Sequence, residues 1–248
     1  KLCGIPMRLG TVFSGIGAIE HALERMGIEH DVVFACDNSN IDWAEKLTSV
    51  KKCRELLQEL DENEVKFQEL RKLNFCWVDG CHAHENLVQH HIKPRSNFDN
   101  DKEFIRLSNT ALTCEFHNAL IADSEVDLPT FEEVLKSCIL SITDQTLRRN
   151  TVNSLYDLRG KKAFVEQSYL ANYDCPVEHF HKDVSFLDGS EYEGQLDLFV
   201  GGSPCQSFSF VGHQGGFDDA RGTLFYDFVR LVDEIRPKMF IWENVKGV

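Results

Sequence analysis

An α/β fold built on a mainly parallel sheet, interrupted by an inserted and mostly helical module, is predicted for this chain. Three observations predict it. Residues 9–37 read as strand, glycine turn, helix, strand. The same alternation resumes near Lys161 and runs to Trp242. Between about 45 and 158 the composition changes to charged helical stretches around a dense Cys/His group.

The elements follow in order. Leu9 to Val12 is an apolar strand, Phe13-Ser14-Gly15-Ile16-Gly17 a tight turn, and the next helix has an apolar face of Ile19, Ala22, Leu23 and Met26, closed by Gly27. Asp31 to Cys36 is a second strand ending on Asp37. Residues 45–72 form a Glu/Lys/Leu-rich helical stretch, 74–118 hold the Cys/His group, and 124–158 read as helical. A helix through Ala163, Phe164, Ser168 and Tyr169 follows, then strands at Leu196–Val200 and Met239–Trp242 flanking a helix near Leu224–Ile235. The organisation is therefore a discontinuous domain, 8–46 with 160–248, and an insertion, 47–159; no internal repeat suggests a duplication.

Composition bounds the class. The 248 residues are 42% hydrophobic, enough for one large domain or two small ones with real cores. No run approaches the roughly 18 to 20 apolar residues of a membrane span, and no basic-then-apolar leader opens the chain, so a cytoplasmic protein with no membrane partner is expected. Nine cysteines, odd in number and dispersed, suit reduced thiols better than disulfides. Cys3, Cys36, Cys53, Cys138 and Cys175 read as ordinary small residues. The net charge of -14 opposes nucleic-acid binding, yet much of the acidity sits in 55–69 and 123–133, away from the motifs below. Both ends of the chain read as cut, the first residue being Lys1 and the last Val248.

A glycine turn between strand and helix lets backbone N–H groups approach a ligand, and an acidic residue ending the next strand can accept from ribose hydroxyls. Phe13, Gly15, Gly17 and Asp37 fit that plan, although such a turn alone is a weak signal. Cys205 lies in Gly201-Gly202-Ser203-Pro204-Cys205-Gln206 just beyond an apolar strand, at the carboxyl edge of the sheet, where α/β enzymes bind ligands. An isolated loop cysteine would be unremarkable; here it is followed by the loop Gly215 to Phe225 and by a strand ending in Trp242-Glu243-Asn244-Val245.

In order and wording, Phe13 to Gly17, Gly202 to Gln206, Gly216 to Phe225 and Glu243-Asn244-Val245 resemble the signature motifs of the bacterial DNA (cytosine-5)-methyltransferases. The resemblance covers about 8–46 and 160–248. It implies a Rossmann-like fold, S-adenosylmethionine as cofactor, double-stranded DNA as partner, and methylation of cytosine C5 in a restriction-modification setting. Through it Phe13, Gly15, Gly17 and Pro204 become cofactor contacts, Asp37 the ribose acceptor, and Asn38 and Asp183 adenine neighbours. Cys205 becomes the nucleophile that adds to C6, and Glu243 the carboxyl that stabilises charge at N3. Asn244 is either a turn residue or a hydrogen-bonding support of the Cys205 loop. The family continues past Glu243-Asn244-Val245 with a target-recognition domain and a final helix, which implies a C-terminal half or subunit as partner.

In the insertion, Cys76 and Cys81 are separated by four residues, and Cys114 and His117 by two, giving two ligand pairs suited to tetrahedral zinc. His90-His91, Asn109 and Asn118, in this order, resemble an HNH nuclease module of the ββα-metal type. The resemblance implies His91 as general base, Asn109 as its orienter, and His90 and Asn118 near a divalent ion. Two departures stand out: His117 replaces the usual second cysteine, and Asn118 stands where many members have histidine. The alternatives to an active methyltransferase are a vestigial one acting as a zinc-stapled DNA-binding module, or a methyltransferase-nuclease fusion.

Overall fold

The computed structural model describes residues 4–46, 74–101, 105–106, 109–121, 127–157, 163–202 and 224–244. The chain divides into two compact units, residues 1–41 with 160–248, and residues 42–159.

Among the described residues, the first unit is built on a five-stranded sheet. Its strands are β1 (Met7–Val12), β2 (His30–Cys36), β5 (Phe180–His181), β6 (Leu198–Gly201) and β7 (Met239–Trp242), in the order β5-β2-β1-β6-β7. Every neighbouring pair is parallel. The central strands carry apolar residues on both faces, as a parallel sheet covered on both sides requires. On one face Val12, Phe34 and Phe199 pack with Phe228, Leu231 and Ile235 of helix α6 (Leu224–Ile235). On the other, Leu9, Leu198 and Val200 meet Leu23 of helix α1 (Ala18–Arg25), and Val32, Ala35 and Phe180 meet Tyr169 of helix α5 (Phe164–Asn172). The buried positions of α6 recur at helical spacing, and its Phe228 ring stacks on Phe199 with centroids 4.9 Å apart.

Helix α1 differs from its expected face. Met26 and Ala22 are exposed, whereas Leu23 and the acidic Glu20 are buried. The helix ends where Gly27 takes φ +67°. There the Gly27 N–H donates to Glu24 O (2.9 Å) and the Ile28 N–H to Leu23 O (3.0 Å), satisfying carbonyls the helix leaves open, while Ile28 packs on the Leu23 cluster. In α5, Phe164 is 71% exposed and Tyr169 is fully buried.

The second unit holds an antiparallel hairpin of β3 (Leu87–His91) and β4 (Thr110–Cys114), in register His90 with Ala111, followed at once by α2 (Glu115–Ile121). The helical reading of 124–158 resolves into α3 (Phe131–Leu140) and α4 (Gln145–Asp157). Each has a cap at its amino end. Thr130 and Glu133 form a reciprocal capping box at the start of α3. Asp144 Oδ1 accepts from the Leu147 N–H (2.8 Å) at the start of α4, and the Arg148 guanidinium reaches back to Ile142 O (2.7 Å). Phe131, Leu135, Cys138, Ile139, Ile142 and Leu155 are fully buried in this unit. The helical expectation for 45–72 falls almost wholly outside the described residues, which there include only the end of a short helical turn, Trp43–Lys46.

At the amino ends of the strands, Asp197 joins β1 to the approach to β7. Its carboxylate accepts from the Arg8 backbone N–H (2.9 Å) and guanidinium (3.2 Å) and lies 2.7 Å from Lys238 Nζ. These partners, the Arg8 side chain foremost, hold the Asp197 carboxyl well below the ordinary carboxylate range. Because the folded value is the lower one, this contribution is complete above the unfolded value of about 4 and is lost as pH falls through the folded value. Thermal unfolding measured between about pH 5 and pH 2 should therefore show a shallower acid loss of Tm in Asp197→Asn than in the parent; an unchanged slope would remove this assignment.

Candidate functional site

Five parallel strands place their carboxyl ends on one sheet edge, and the candidate residues lie along it. β1 runs directly into the turn 13–17. Phe13 takes φ +57°, a conformation rare for a bulky side chain, and Gly15 and Gly17 take φ +55° and +91°. The turn is held from three sides. The Gly15 N–H donates to Asp37 Oδ2 (2.9 Å), and Ser14 bridges to β2, its N–H donating to Cys36 O (3.2 Å) and its Oγ accepting from the Cys36 N–H (3.3 Å). The Tyr173 hydroxyl donates to Gly17 O (2.8 Å), and its ring is so close that a Cβ at Gly17 would lie 2.0 Å from it. Gly17 is thus required twice, by φ and by space.

Asp37 follows β2 and uses both oxygens locally, Oδ2 for the Gly15 N–H and Oδ1 for the Ser39 N–H (2.7 Å). Ser39 and Asn40 both take positive φ, so the backbone turns sharply here, leaving Asn38 exposed. Asp183 follows β5, the neighbour of β2, and its Oδ1 accepts from the Ser185 N–H (2.9 Å) and hydroxyl (2.7 Å). Burial first, then the charges of Asp183, Asp37 and Asp227, push the Cys36 thiol well above its ordinary value. Asp37 and Asp183 follow the paired strands β2 and β5, where the Asp37 N–H donates to His181 O (3.0 Å), and Asp227 of α6 is a further acidic group acting on Cys36 that the sequence reading missed. Helical spacing gave Asp227 no special signal; only the packing of α6 on this face brings it there.

The edge can accommodate a nucleoside-bearing cofactor. A Cβ at Gly15 would meet no atom within 4 Å. Ser39 Oγ is buried and has no hydrogen-bond partner among the described residues. Carboxylates suited to ribose hydroxyls stand beside both.

At the other end of the same edge, Gly202 follows β6 and Glu243 follows β7. The Glu243 N–H donates to Gly201 O (2.9 Å), and its carboxylate approaches Gly202 so closely that a Cβ there would lie 3.0 Å from Oε2. Glu243 is exposed, and Asn244 is half-buried beside it. Pro204 and Cys205 lie outside the described residues, as does the loop 212–216.

The second unit gathers another constellation. The ligand atoms of Cys76, Cys81, Cys114 and His117 all lie within 4.8 Å of one another. His117 Nδ1 is 3.5 Å from Cys76 Sγ and 3.3 Å from Cys114 Sγ. Gly80, at φ +74°, permits the turn that returns the chain from Cys76 to Cys81. The backbone N–H of His117 holds the Cys114 thiol below its ordinary value, while burial pushes the Cys76 thiol up. Three thiols and an imidazole at this separation are a donor set suited to tetrahedral zinc.

Beside it, His90 is buried, its Nδ1 3.1 Å from Asn118 Oδ1. Among the described residues its Nε2 has no hydrogen-bond partner. Asn109, also buried, ties down the chain after β3, its Oδ1 accepting from the Lys93 N–H (2.8 Å) and its Nδ2 donating to Lys93 O (3.2 Å). His91 is half-buried, and burial followed by the charge of His90 lowers its pKa.

Comparison with known proteins adds an independent finding. Residues 142–248 match the family model described as C-5 cytosine-specific DNA methylase. The chain is similar to the orphan methyltransferase M.SPRI of Bacillus phage SPR, 44% identical over 84 residues, 32% of this chain and 19% of that protein. It is similar to the type II methyltransferase M.PspPI of Psychrobacter sp., 48% identical over 66 residues, 27% of this chain and 16% of that protein. The type II methyltransferase M.AquIA of Picosynechococcus sp. is 54% identical over 54 residues, 22% of each chain. The chain thus spans less than a quarter of the length of these relatives. The family match reaches back to residue 142 and leaves residues 1–141 outside it.

Proposed function

We propose that this chain carries the catalytic half of a DNA (cytosine-5)-methyltransferase of a restriction-modification system. The observation that carries the reading is the shared sheet edge: the Phe13–Gly17 turn, Asp37, Gly202 and Glu243 all follow parallel strands at their carboxyl ends. In this reading residues 8–46 and 160–248 form the catalytic domain. Phe13, Gly15, Gly17, Asp37, Asn38, Asp183 and Pro204 would hold S-adenosylmethionine, which when bound supplies an electrophilic methyl group.

The chemistry follows from the residue types. Cytosine C5 is a weak nucleophile, so the Cys205 thiolate adds at C6 and makes the ring an enamine with reactive C5. Electron density moves toward N3, where the Glu243 carboxyl donates or shares a proton. After methylation, loss of the C5 proton expels Cys205 and restores the aromatic ring. Glu243 is suited to this by position, because it borders Gly202, three residues before Cys205. Asn244 supports the loop that carries the thiol. A base stacked in a duplex is out of reach, so the target cytosine is flipped out at a cost on the order of a few kcal/mol. Recognition of the DNA sequence falls to a C-terminal half or subunit carrying a target-recognition domain, a reading supported by the greater length of the relatives.

For residues 47–159 we read a zinc-stapled DNA-binding insert, supported by the convergence of Cys76, Cys81, Cys114 and His117 and by the ββα order of β3, β4 and α2. A second reading, DNA cleavage, draws on His90 beside Asn118, with His91 as general base and Asn109 as its support.

DNA carrying 5-fluorocytosine tests the first reading, because fluorine cannot leave C5 as a proton does. With S-adenosylmethionine present and a C-terminal half supplied, the chain should form a covalent DNA adduct that Cys205→Ser abolishes and Glu243→Gln slows by roughly 10²- to 10⁴-fold. Absence of any adduct, with or without that half, would leave the vestigial, DNA-binding reading in its place.

The insert is tested by metal analysis of chelator-free protein, where about one zinc per chain is expected. Cys114→Ser should lose the metal and lower the unfolding temperature, as chelation does in the parent. Protein without zinc overturns the staple. Cutting of DNA with magnesium or manganese, abolished in His91→Ala, would establish cleavage by the insert.

A further inference from the structure

The reaction scheme leaves unused a carboxyl buried beneath the turn. Glu20, in the first turn of α1, is 0% exposed. Its Oε1 accepts from Thr11 Oγ1 (3.0 Å) and from the Tyr169 hydroxyl (2.5 Å). Burial first, and then the negative charge of Glu20, push the Tyr169 hydroxyl far up, so it remains a donor. Thr11 Oγ1 lies 2.7 Å from Ser14 Oγ. A hydroxyl carries one proton. Since Thr11 gives its proton to Glu20, Ser14 is the donor in the Thr11–Ser14 pair at 2.7 Å, in preference to Cys36 O at 3.3 Å from the same hydroxyl, and Ser14 in turn accepts from the Cys36 N–H at 3.3 Å. Polarity therefore runs one way, from Cys36 through Ser14 and Thr11 into Glu20, and the carboxylate is the acceptor that sets its direction.

We propose that Glu20 is a positioning residue for the cofactor turn. It acts through Thr11 on Ser14, whose neighbour Gly15 donates to Asp37. Tyr169 locks the carboxyl from α5, and Tyr173, four residues on, holds Gly17 O from the same direction. The network thus couples α5 to the turn and sets its affinity for S-adenosylmethionine. The proposal rests on reading residues 13–17 as the cofactor turn.

The test uses the whole chain, with equilibrium dialysis of labelled S-adenosylmethionine and hydrogen exchange of the turn amides. Thr11→Val keeps shape but breaks the relay; Glu20→Leu removes its acceptor; Glu20→Gln retains a carbonyl oxygen able to accept from both hydroxyls. Thr11→Val and Glu20→Leu should each raise Kd about tenfold, and the double variant no more than about tenfold, because both cut one chain of bonds. Glu20→Gln should stay within about twofold of the parent. Exchange at Gly15 and Gly17 should quicken in the two disruptive variants while protection in β6 is kept. Unchanged affinity in both disruptive variants, or loss of affinity only alongside loss of protection in β6, would overturn the proposal. A parent chain that binds no S-adenosylmethionine even with the C-terminal half supplied would remove the cofactor reading itself, and this inference with it.

Discussion

Parallel pairing of β1 between β2 and β6 is the constraint on which the first unit depends. Each parallel strand must be entered by a crossover from the far end, so every strand delivers its following residue to the same edge. Residues far apart in sequence, Phe13, Asp37, Asp183, Gly202 and Glu243, are collected there without any direct attraction between them. The pairing is tight at Gly10, where a Cβ would lie 2.5 Å from Leu196 and 2.8 Å from Phe34. The β1–β2 register shifts between Leu9 and Gly10. A side chain at residue 10 would push β1 off the aromatic layer that α6 covers, and the edge would lose its alignment.

The edge has two chemical ends. Around β2 and β5 it is acidic and strained, with Asp37 and Asp183 near Cys36 and positive φ at Phe13, Ser39 and Asn40. Such backbone conformations cost on the order of 1 to 3 kcal/mol each and persist only where neighbours impose them. Here the Gly15 and Ser39 N–H groups impose them by converging on one carboxylate. Around β6 and β7 the edge is glycine-lined and carries Glu243 against Gly202. A ligand spanning both ends would meet the Asp37 and Asp183 carboxyls at one and the Glu243 carboxyl at the other.

Much of this was legible in the chain. The strands and α6 announce themselves through apolar runs of the right length, and Met239–Trp242 and Leu224–Ile235 have the bounds the pattern suggests. Periodicity failed where a polar residue was the buried one. An apolar-face count for α1 selects Ala22 and Met26, both exposed, because it cannot know that Tyr169, 149 residues away, supplies Glu20 with a buried donor. The two-residue β5 is too short to carry any pattern, and only its pairing with Ala35 and Cys36 defines it. The Cys/His spacing did carry a signal, because thiols at short intervals are rare enough to read as pairs. That the two pairs share one point within 4.8 Å depends on the hairpin register, which spacing alone leaves open.

The position of the second unit in the chain has its own physical logic. Residues 42–159 enter after β2 and leave before α5, within the connection that brings β5 back beside β2. Cys36 and His181 still pair. The entropy of closing such a connection grows only with the logarithm of its length, about 0.6 kcal/mol for each doubling. A long crossover is therefore tolerable, and more so when the inserted residues hold a hydrophobic core of their own, as Phe131, Leu135, Ile139 and Leu155 do. The same logic makes α5 the sensitive element. It is the first helix after the insertion, and its Tyr169, with Tyr173 just beyond its end, grips the turn through Glu20 and Gly17. The site thus tolerates a second unit in its connection because α5, rather than the connection itself, restores the geometry.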